Sequence, residues 1–169
     1  FGNRAATGLR YNNAYTNDTT PTITGTSSMN GGTIRVSIDG AYVGSTTTAA
    51  DGTWSFTPST ALTAGAHTYI VRPVFYGLAG SSTTSRTVNI GLTLPGAPTV
   101  SSNRGGTVSA TTATITYTPA EAGGTLQCSV DGGAYATCGA SPINLSGLAD
   151  GNHSYAVRQV DVAGNVGSA

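Results

Sequence analysis

The chain contains no lysine and very little charge of either sign. Seven arginines balance seven acidic residues, so only 8% of the 169 residues are charged and the formal net charge is zero. A chain without excess positive charge has no field that attracts a polyanion, and we therefore expect no nucleic-acid partner. The absence of lysine also excludes, within these residues, a lysine Schiff base and an isopeptide bond from lysine to Asn or Asp.

Long apolar runs and strong helix formers are also missing. No stretch approaches the roughly 20 apolar residues that a membrane helix needs, so we expect no membrane insertion. No basic segment followed by an apolar core stands at the start, and we expect any export signal to lie outside these residues. Methionine and glutamate each occur once, whereas threonine, serine and glycine are abundant. Threonine favours strands and glycine favours turns, so the composition predicts an all-β protein.

The chain repeats itself. Residues 33–40 and 125–132 share a run of alternating apolar residues that ends in Asp-Gly. Residues 65–72 and 151–158 share the pattern Gly-x-His-x-Tyr-x-Val-Arg, in the same order along the chain. Two copies of one domain explain both correspondences.

The matches define a domain organisation. We predict one domain at 17–92 and a second at 93–169, with a short, proline-containing connector between them. Residues 1–16 match neither copy, and they are either the end of a preceding repeat or a segment that docks on a neighbour as an added strand. The expected partners are therefore adjacent repeats of the same chain or neighbouring subunits.

Within each copy the residues alternate as they do in β-strands. Ala113, Ile115 and Tyr117 would face one side of a strand and the intervening threonines the other. The Asp39-Gly40 and Asp131-Gly132 pairs are strong hairpin signals. Short strands separated by such turns predict two tandem immunoglobulin-like antiparallel β-sandwich domains.

Three segments resemble a known family. The first copy, with NDTTPTITG at 17–25 and ADGTWSFTP at 50–58, resembles the bacterial Ig-like (Big) repeats of large secreted adhesins. The second copy, with DVAGN at 161–165, is similar to the cysteine-bearing variant of that domain in bacterial surface proteins. The resemblance implies an extracellular or cell-surface location. It also implies a non-catalytic role in cell adhesion, as a stalk segment that holds a binding region away from the cell.

Two other functions remain open. The chain could be a subunit of a self-assembling extracellular fibre in which residues 1–16 add a strand to a neighbour, and Tyr11 and Tyr15 would then contact another chain. It could instead be a carbohydrate- or receptor-binding accessory module of a secreted protein, which would need exposed aromatic side chains. The candidates for such a surface are Tyr42, Phe75 and Tyr76, and its ligand is unknown.

The two cysteines flank the turn at Asp131. If Gly132 to Ala134 form a three-residue loop, Cys128 falls opposite Cys138, at a separation that a disulfide can span. In an exported protein we expect this pair to be oxidised. Two reduced core cysteines and a metal pair are the alternatives, although no further Cys or nearby His completes a zinc set.

The two histidines occupy equivalent places in the copies, which predicts a structural role used twice. His67 and His153 each precede a tyrosine by two positions. Leu148, Tyr155 and Val157 resemble a tyrosine corner, in which the phenol is hydrogen-bonded to nearby backbone. No Gly-x-Ser-x-Gly elbow and no Cys–His pair with an orienting acid is evident. We therefore expect no catalytic residues and no enzyme activity.

Calcium is the one candidate cofactor. Ca²⁺ needs six to eight oxygen ligands, which carboxylates and carbonyls supply best. The resemblance to adhesin repeats implies ions at repeat junctions, and Asp18, Asp161 and Asn165 match the positions of such ligands. Residues 93–96 carry no acid, so any ion would lie at the outer ends of the chain. The alternative is that these Asp and Asn side chains only form turns.

Overall fold

The computed structural model describes residues 6–7, 13–81, 85–106 and 109–169. All the regular structure in this part of the chain is β-strand. Consequently, no helix with the length and apolar character to cross a membrane is found there. The described residues up to Gly91 form one compact unit, and those from Leu92 onward form another. The prediction of two tandem β-sandwich domains is confirmed.

The first unit is built from two sheets. Its described strands are β1 (Ala6–Thr7), β2 (Ala14–Thr16), β3 (Ile23–Ser27), β4 (Thr33–Ile38), β5 (Ala41–Thr47), β6 (Thr53–Phe56), β7 (Gly65–Phe75), β8 (Leu78–Ala79) and β9 (Arg86–Ile90). One sheet has the order β1-β3-β6 and the other β2-β9-β7-β4-β5, with β8 paired to β7. All these pairs are antiparallel except β2 with β9.

The second unit repeats this plan with fewer described strands. They are β10 (Thr99–Ser102), β11 (Ala113–Thr118), β12 (Thr125–Val130), β13 (Ala136–Thr137), β14 (Ile143–Leu145) and β15 (Tyr155–Val160). The sheets have the orders β10-β11-β14 and β13-β12-β15, and all described pairs are antiparallel. The second unit is therefore also a sandwich of two sheets.

The end of the segment 1–16 is part of the first unit. Ala14–Thr16 pair in parallel with β9, and hydrogen bonds from Asn13 N to Thr87 O (2.8 Å) and from Gly91 N to Thr16 O (3.0 Å) extend the pairing. Residues 14–16 thus add a strand to their own domain, a pairing that the sequence analysis did not foresee. Tyr15 lies on this strand and is exposed, whereas Tyr11 lies outside the described residues.

The core of the first unit draws on both of its sheets. Its buried hydrophobic residues are Ile23, Ile34, Val36, Ile38, Trp54, Tyr69, Val71, Val88 and Ile90. Ile23 and Trp54 come from the smaller sheet and the other seven from the larger. Full burial of each such aliphatic side chain contributes about 1.5–3 kcal/mol, so this cluster stabilises the packing of one sheet on the other.

The core of the second unit is smaller. Ile115, Tyr117 and Val157 are its buried members, and Cys128 and Cys138 belong to the partly buried hydrophobic residues around them. The alternation predicted for β11 is confirmed, because Ile115 and Tyr117 are buried while the threonines that follow them are exposed. With few buried side chains, this unit depends more on its covalent and polar contacts.

Both predicted hairpin turns are present. Asp39 and Gly40 have φ angles of 52° and 82°, and Asp131 and Gly132 have 51° and 71°. Two successive positive φ angles define a type I′ turn, whose twist matches that of the flanking strands. Each turn places one aspartate at the tip of a hairpin.

Candidate functional site

A histidine fastens the tip of the β4–β5 hairpin to the start of β7. His67 Nδ1 lies 2.7 Å from Asp39 Oδ2, and His67 Nε2 lies 2.9 Å from the carbonyl oxygen of Thr63. The other oxygen of Asp39 accepts a hydrogen bond of 2.8 Å from Thr68 N. This cluster, which we call the Asp–His clamp, joins the hairpin, strand β7 and the segment before that strand.

The second unit contains the same clamp. His153 Nδ1 lies 2.9 Å from Asp131 Oδ2, and His153 Nε2 lies 2.9 Å from the carbonyl oxygen of Ala149. Ser154 N donates to Asp131 Oδ1 over 2.8 Å. The repetition of every contact supports the predicted structural role of the two histidines.

The clamp favours the imidazolium form of each histidine. Both ring nitrogens face oxygen acceptors, and only the protonated ring can donate from both. The hydrogen bond to Asp39 raises the pKa of His67 against the opposing effect of desolvation. The hydrogen bonds to Ala149 O and then to Asp131 raise the pKa of His153.

The aspartates of the clamps favour the ionised form. Desolvation opposes the ionisation of Asp39, but hydrogen bonds from Thr68 and His67 together lower its pKa. The bonds from His153 and Ser154 lower the pKa of Asp131. Each clamp is therefore a charge-assisted pair at a partly exposed hairpin tip, and such pairs are stronger than neutral hydrogen bonds.

The tyrosines next to the clamps do not form the predicted corner. The hydroxyl groups of Tyr155 and the equivalent Tyr69 are buried and have no hydrogen-bond partner among the described residues. Burial, followed by the charges of Asp39 and Asp18, raises the pKa of Tyr69 to about 12. The prediction for Tyr155 was wrong because the backbone at the strand entry is held by the histidine and aspartate of the clamp instead.

A disulfide joins Cys128 and Cys138, with 5.1 Å between their Cα atoms. The predicted register was wrong, however, because Cys128 lies opposite Ala136. The loop closes as a two-residue turn in which Gly133 N donates to Val130 O (2.9 Å), and an extra residue then shifts the ladder. The disulfide thus crosses the hairpin diagonally.

The candidate calcium ligands form local turns. Asp18 Oδ1 accepts a hydrogen bond of 2.8 Å from Thr20 N. Asp161 Oδ1 accepts from the main-chain nitrogens of Ala163 and Asn165, and Asp161 Oδ2 accepts from Asn165 Nδ2, each over 2.8 Å. Partial burial opposes ionisation of Asp161, but these bonds lower its pKa.

Calcium binding stays a prediction. Asp18 belongs to the first unit, and Asp161 and Asn165 belong to the second. In the described ranges, no three His, Cys, Asp or Glu side chains lie together in a group that could hold a metal ion.

Two of the candidate aromatic residues, Tyr42 and Tyr76, lie far apart on the first unit. Tyr42 is 54% exposed on β5, and Tyr76 is 91% exposed in the turn after β7. Ser37 pairs with Tyr42 on one side and with Ile70 on the other, so Tyr42 and Ile70 are level across the sheet. Tyr76 follows Ile70 by six residues along the chain. That offset corresponds to about 20 Å along a strand. The side chain of Phe75, the third candidate, lies outside the described part of the structure.

A groove of about 630 Å³ in the first unit is lined mainly by hydroxyl groups. Its lining residues are Thr24, Gly25, Thr26, Thr46, Thr47, Ala49, Thr53, Trp54 and Ser55. None of them is charged, so the groove offers hydrogen bonds without a general acid or base.

A comparison of the sequence with known protein families identifies the family of this chain. Residues 2–94, more than half of the chain, match the family described as Bacterial Ig-like domain. The chain belongs to this bacterial Ig-like family. The match includes the entering strand β2, in agreement with its pairing in the first unit. The resemblance predicted for the first copy is therefore confirmed.

Solved structures share the fold of this bacterial Ig-like protein. The fibronectin(III)-like modules of Clostridium thermocellum CbhA are 16% identical, with a TM-score of 0.54 over 98% of this chain and 89% of theirs. The FN1–FN3 domains of chicken CNTN1 are 12% identical, with a TM-score of 0.51 over 96% of this chain and 60% of theirs. At these identities the similarity shows the fold alone. No curated protein sequence matches the chain.

The histidines of the clamps were predicted from the sequence, but the aspartates that bind them were not. Asp39 and Asp131 were assigned to turns, which they do form. One sequence signal could have revealed the contact. Each copy of the repeat has an aspartate and a histidine at matching positions. Two polar residues that recur together in both copies predict a contact even when 28 or 22 residues separate them.

Proposed function

We propose that this chain is a non-catalytic structural segment of a bacterial cell-surface or extracellular adhesin. Its role is to extend a binding region away from the cell. Membership of the bacterial Ig-like family supports this proposal. The disulfide between Cys128 and Cys138 supports an oxidising, extracellular location, since such bonds persist there and are rare in the cytosol.

One observation carries the proposal: the chain is two units with separate cores that share the same clamp. Each unit has its own hydrophobic cluster. The hydrogen bonds of His67 and His153 hold a hairpin tip against the neighbouring strand in each unit, which is a structural role. Repeats of this kind gain length by adding units, because stability is local to each unit.

Single-molecule stretching of the chain between two handles tests this proposal. A stalk segment should unfold in two separate steps and refold after relaxation without any ligand. With the disulfide intact, the ten-residue separation of Cys128 and Cys138 should shorten the step of the second unit by roughly 30 Å relative to the reduced chain, because the bridge itself still spans 5.1 Å. A single cooperative step, or unfolding at forces too small to resolve, would contradict the proposal.

Light scattering after size exclusion, in calcium and then in chelator, separates the stalk from the fibre alternative. A stalk segment should be monomeric in both conditions. Assembly that requires residues 1–12 would favour the fibre, in which that segment adds a strand to a neighbour. A calcium-dependent change that is lost in Asp18→Asn or Asp161→Asn would identify these residues as ligands.

A further inference from the structure

The five-stranded sheet of the first unit carries positive charge that no acid balances. Its strands, together with β8, contain three arginines and no Asp or Glu. Arg86 is half-buried, and its Nη1 lies 3.4 Å from the carbonyl oxygen of Ser85. The other two, Arg35 and Arg72, are exposed.

Arg35 and Arg72 are direct cross-strand neighbours. They face each other on β4 and β7, on the side of the sheet opposite to the buried Ile34 and Val36. No hydrogen bond or ion pair joins either guanidinium to another described residue. Like charges at directly opposite positions of a sheet are destabilising, so the pair costs the unit stability, and no described acid forms an ion pair that offsets this cost.

In the second unit, the arginine at the equivalent position has hydrogen-bonding and aromatic partners within the same unit. There, Arg158 matches Arg72, and the residue opposite it is Gln127 in place of Arg35. Arg158 Nε donates to Gln127 Oε1 over 2.9 Å, and its guanidinium carbon lies 4.0 Å from the centre of the Tyr135 ring. The first unit thus has a second cation, Arg35, at the position where the second unit has the neutral Gln127.

An aromatic ring holds one of the two arginines in place. The guanidinium carbon of Arg35 lies 4.6 Å from the centre of the exposed Tyr42 ring. Stacking of this kind orients the planar guanidinium and leaves its N–H groups free to bind a carboxylate. Two guanidinium groups on neighbouring strands can share one carboxylate or bind two successive ones.

The surroundings of the pair favour a polysaccharide over a peptide. Hydroxyl residues flank the arginines on the same face: Ser45 lies opposite Arg35, and Thr33 and Ser37 lie two positions along β4 on either side. Hydroxyl groups both donate to and accept from sugar hydroxyls. Strands β4 and β7 are inside the sheet, and their main-chain groups are already paired. An extended peptide therefore cannot pair its main chain with β4 or β7, the two strands that carry Arg35 and Arg72.

From these contacts we propose that the outer face of the first unit binds a polysaccharide that bears carboxylate groups. Arg35 and Arg72 bind the carboxylates, Tyr42 orients Arg35, and the neighbouring hydroxyl groups contact the sugar rings. This binding function goes beyond the stalk function and does not depend on it.

Titration calorimetry of the full chain with oligogalacturonate at low and physiological salt tests the proposal. Arg35→Gln, which copies the second unit, and Arg72→Gln should each weaken binding at least tenfold, as expected for the loss of a hydrogen-bonded charge pair. Arg104→Gln removes an exposed arginine from the second unit and should leave the affinity unchanged. Gln127→Arg should strengthen binding by adding a second paired site.

Several results would overturn the proposal. They are no binding of oligogalacturonate, equal binding of a neutral dextran, or an equal loss of affinity in Arg104→Gln. Tighter binding of poly-glutamate, lost in the same variants, would assign the face to an acidic peptide instead. Thermal unfolding of each variant confirms that the fold is retained. The stretching experiment is independent of these results, so a failure of either proposal is distinguishable from a failure of the other.

Discussion

At the scale of single residues, the protonated histidines make the stability of each unit depend on pH. The raised pKa of His67 means that the folded state binds its proton more tightly than the unfolded state, whose pKa is 6.5. The resulting stabilisation is fully present below about pH 6.5 and is lost as the pH rises through the folded-state value. The lowered pKa of Asp39 gives stabilisation that is lost only as the pH falls below 3.8.

We therefore expect the first unit to lose thermal stability as the pH rises above about 6.5 and through the raised pKa of His67. His67→Gln should be less stable than the wild type at pH 6 and should lose less stability over this range, because no imidazolium is then available. Calorimetry of the full chain at several pH values measures this. His153→Gln is the matched control, since it should change only the transition of the second unit. An unchanged pH dependence in His67→Gln would contradict the prediction.

Residue-level prediction from the sequence succeeded where the signal was local. The Asp-Gly turns and the alternation of Ile115 and Tyr117 depend on neighbouring residues, and the structure confirms them. Contacts that depend on the pairing of distant strands, such as that of Arg35 with Arg72, leave no mark in either segment alone. The strands could therefore be predicted from the sequence, but the surface that they form together could not.

At the scale of structural elements, the β12–β13 hairpin combines a short strand with a covalent bond. Strand β13 contains only two residues, and its ladder is shifted by the extra residue after the turn. The predicted register of Cys128 and Cys138 was wrong because Asp131 and Gly132 form the turn, whereas the prediction had Asp131 in the ladder opposite Tyr135. The bond itself is present. A one-residue difference in a loop changes every pair in the ladder that follows, and composition does not reveal it.

Reduction of the disulfide should destabilise the second unit alone. A short closed loop of this size contributes about 2–3 kcal/mol to the free energy of unfolding. Urea denaturation with and without reductant should show that loss in the second unit and no change in the first, which contains no cysteine. The double variant Cys128→Ala and Cys138→Ala should not respond to reductant. A response of the first unit, or none of the second, would refute this account.

At the scale of the whole molecule, the two hydrophobic clusters share no residue. Ile34 is fully buried in the cluster of the first unit, and Ile115 is 4% exposed in that of the second. The composition and the repeat predicted this division into two sandwiches. Neither the composition nor the repeat could predict that β2 belongs to the first unit. A strand of three residues is too short for its sequence to indicate a parallel pairing with a distant strand.

Separate cores predict separate unfolding transitions. Ile34→Ala should lower the free energy of unfolding of the first unit by about 2–5 kcal/mol, since it leaves a cavity in a packed core, and should leave the second unit unchanged. Ile115→Ala should have the reciprocal effect. Calorimetry of the full chain measures both transitions and also assigns each to its unit. A shift of both transitions in either variant would show that the units unfold together.

The parallel pairing of β2 with β9 determines how the first unit bears a mechanical load. The chain enters the unit through β1 and then β2, and it leaves the unit after β9. Strands β2 and β9 are adjacent and parallel. Tension on the two ends, once the two-residue strand β1 has detached, pulls β2 and β9 in opposite directions along their lengths. The hydrogen bonds between them are then sheared together, whereas the bonds of a hairpin pulled open at its ends break one after another. The three residues with the weakest sequence signal are thus placed where the unit resists extension.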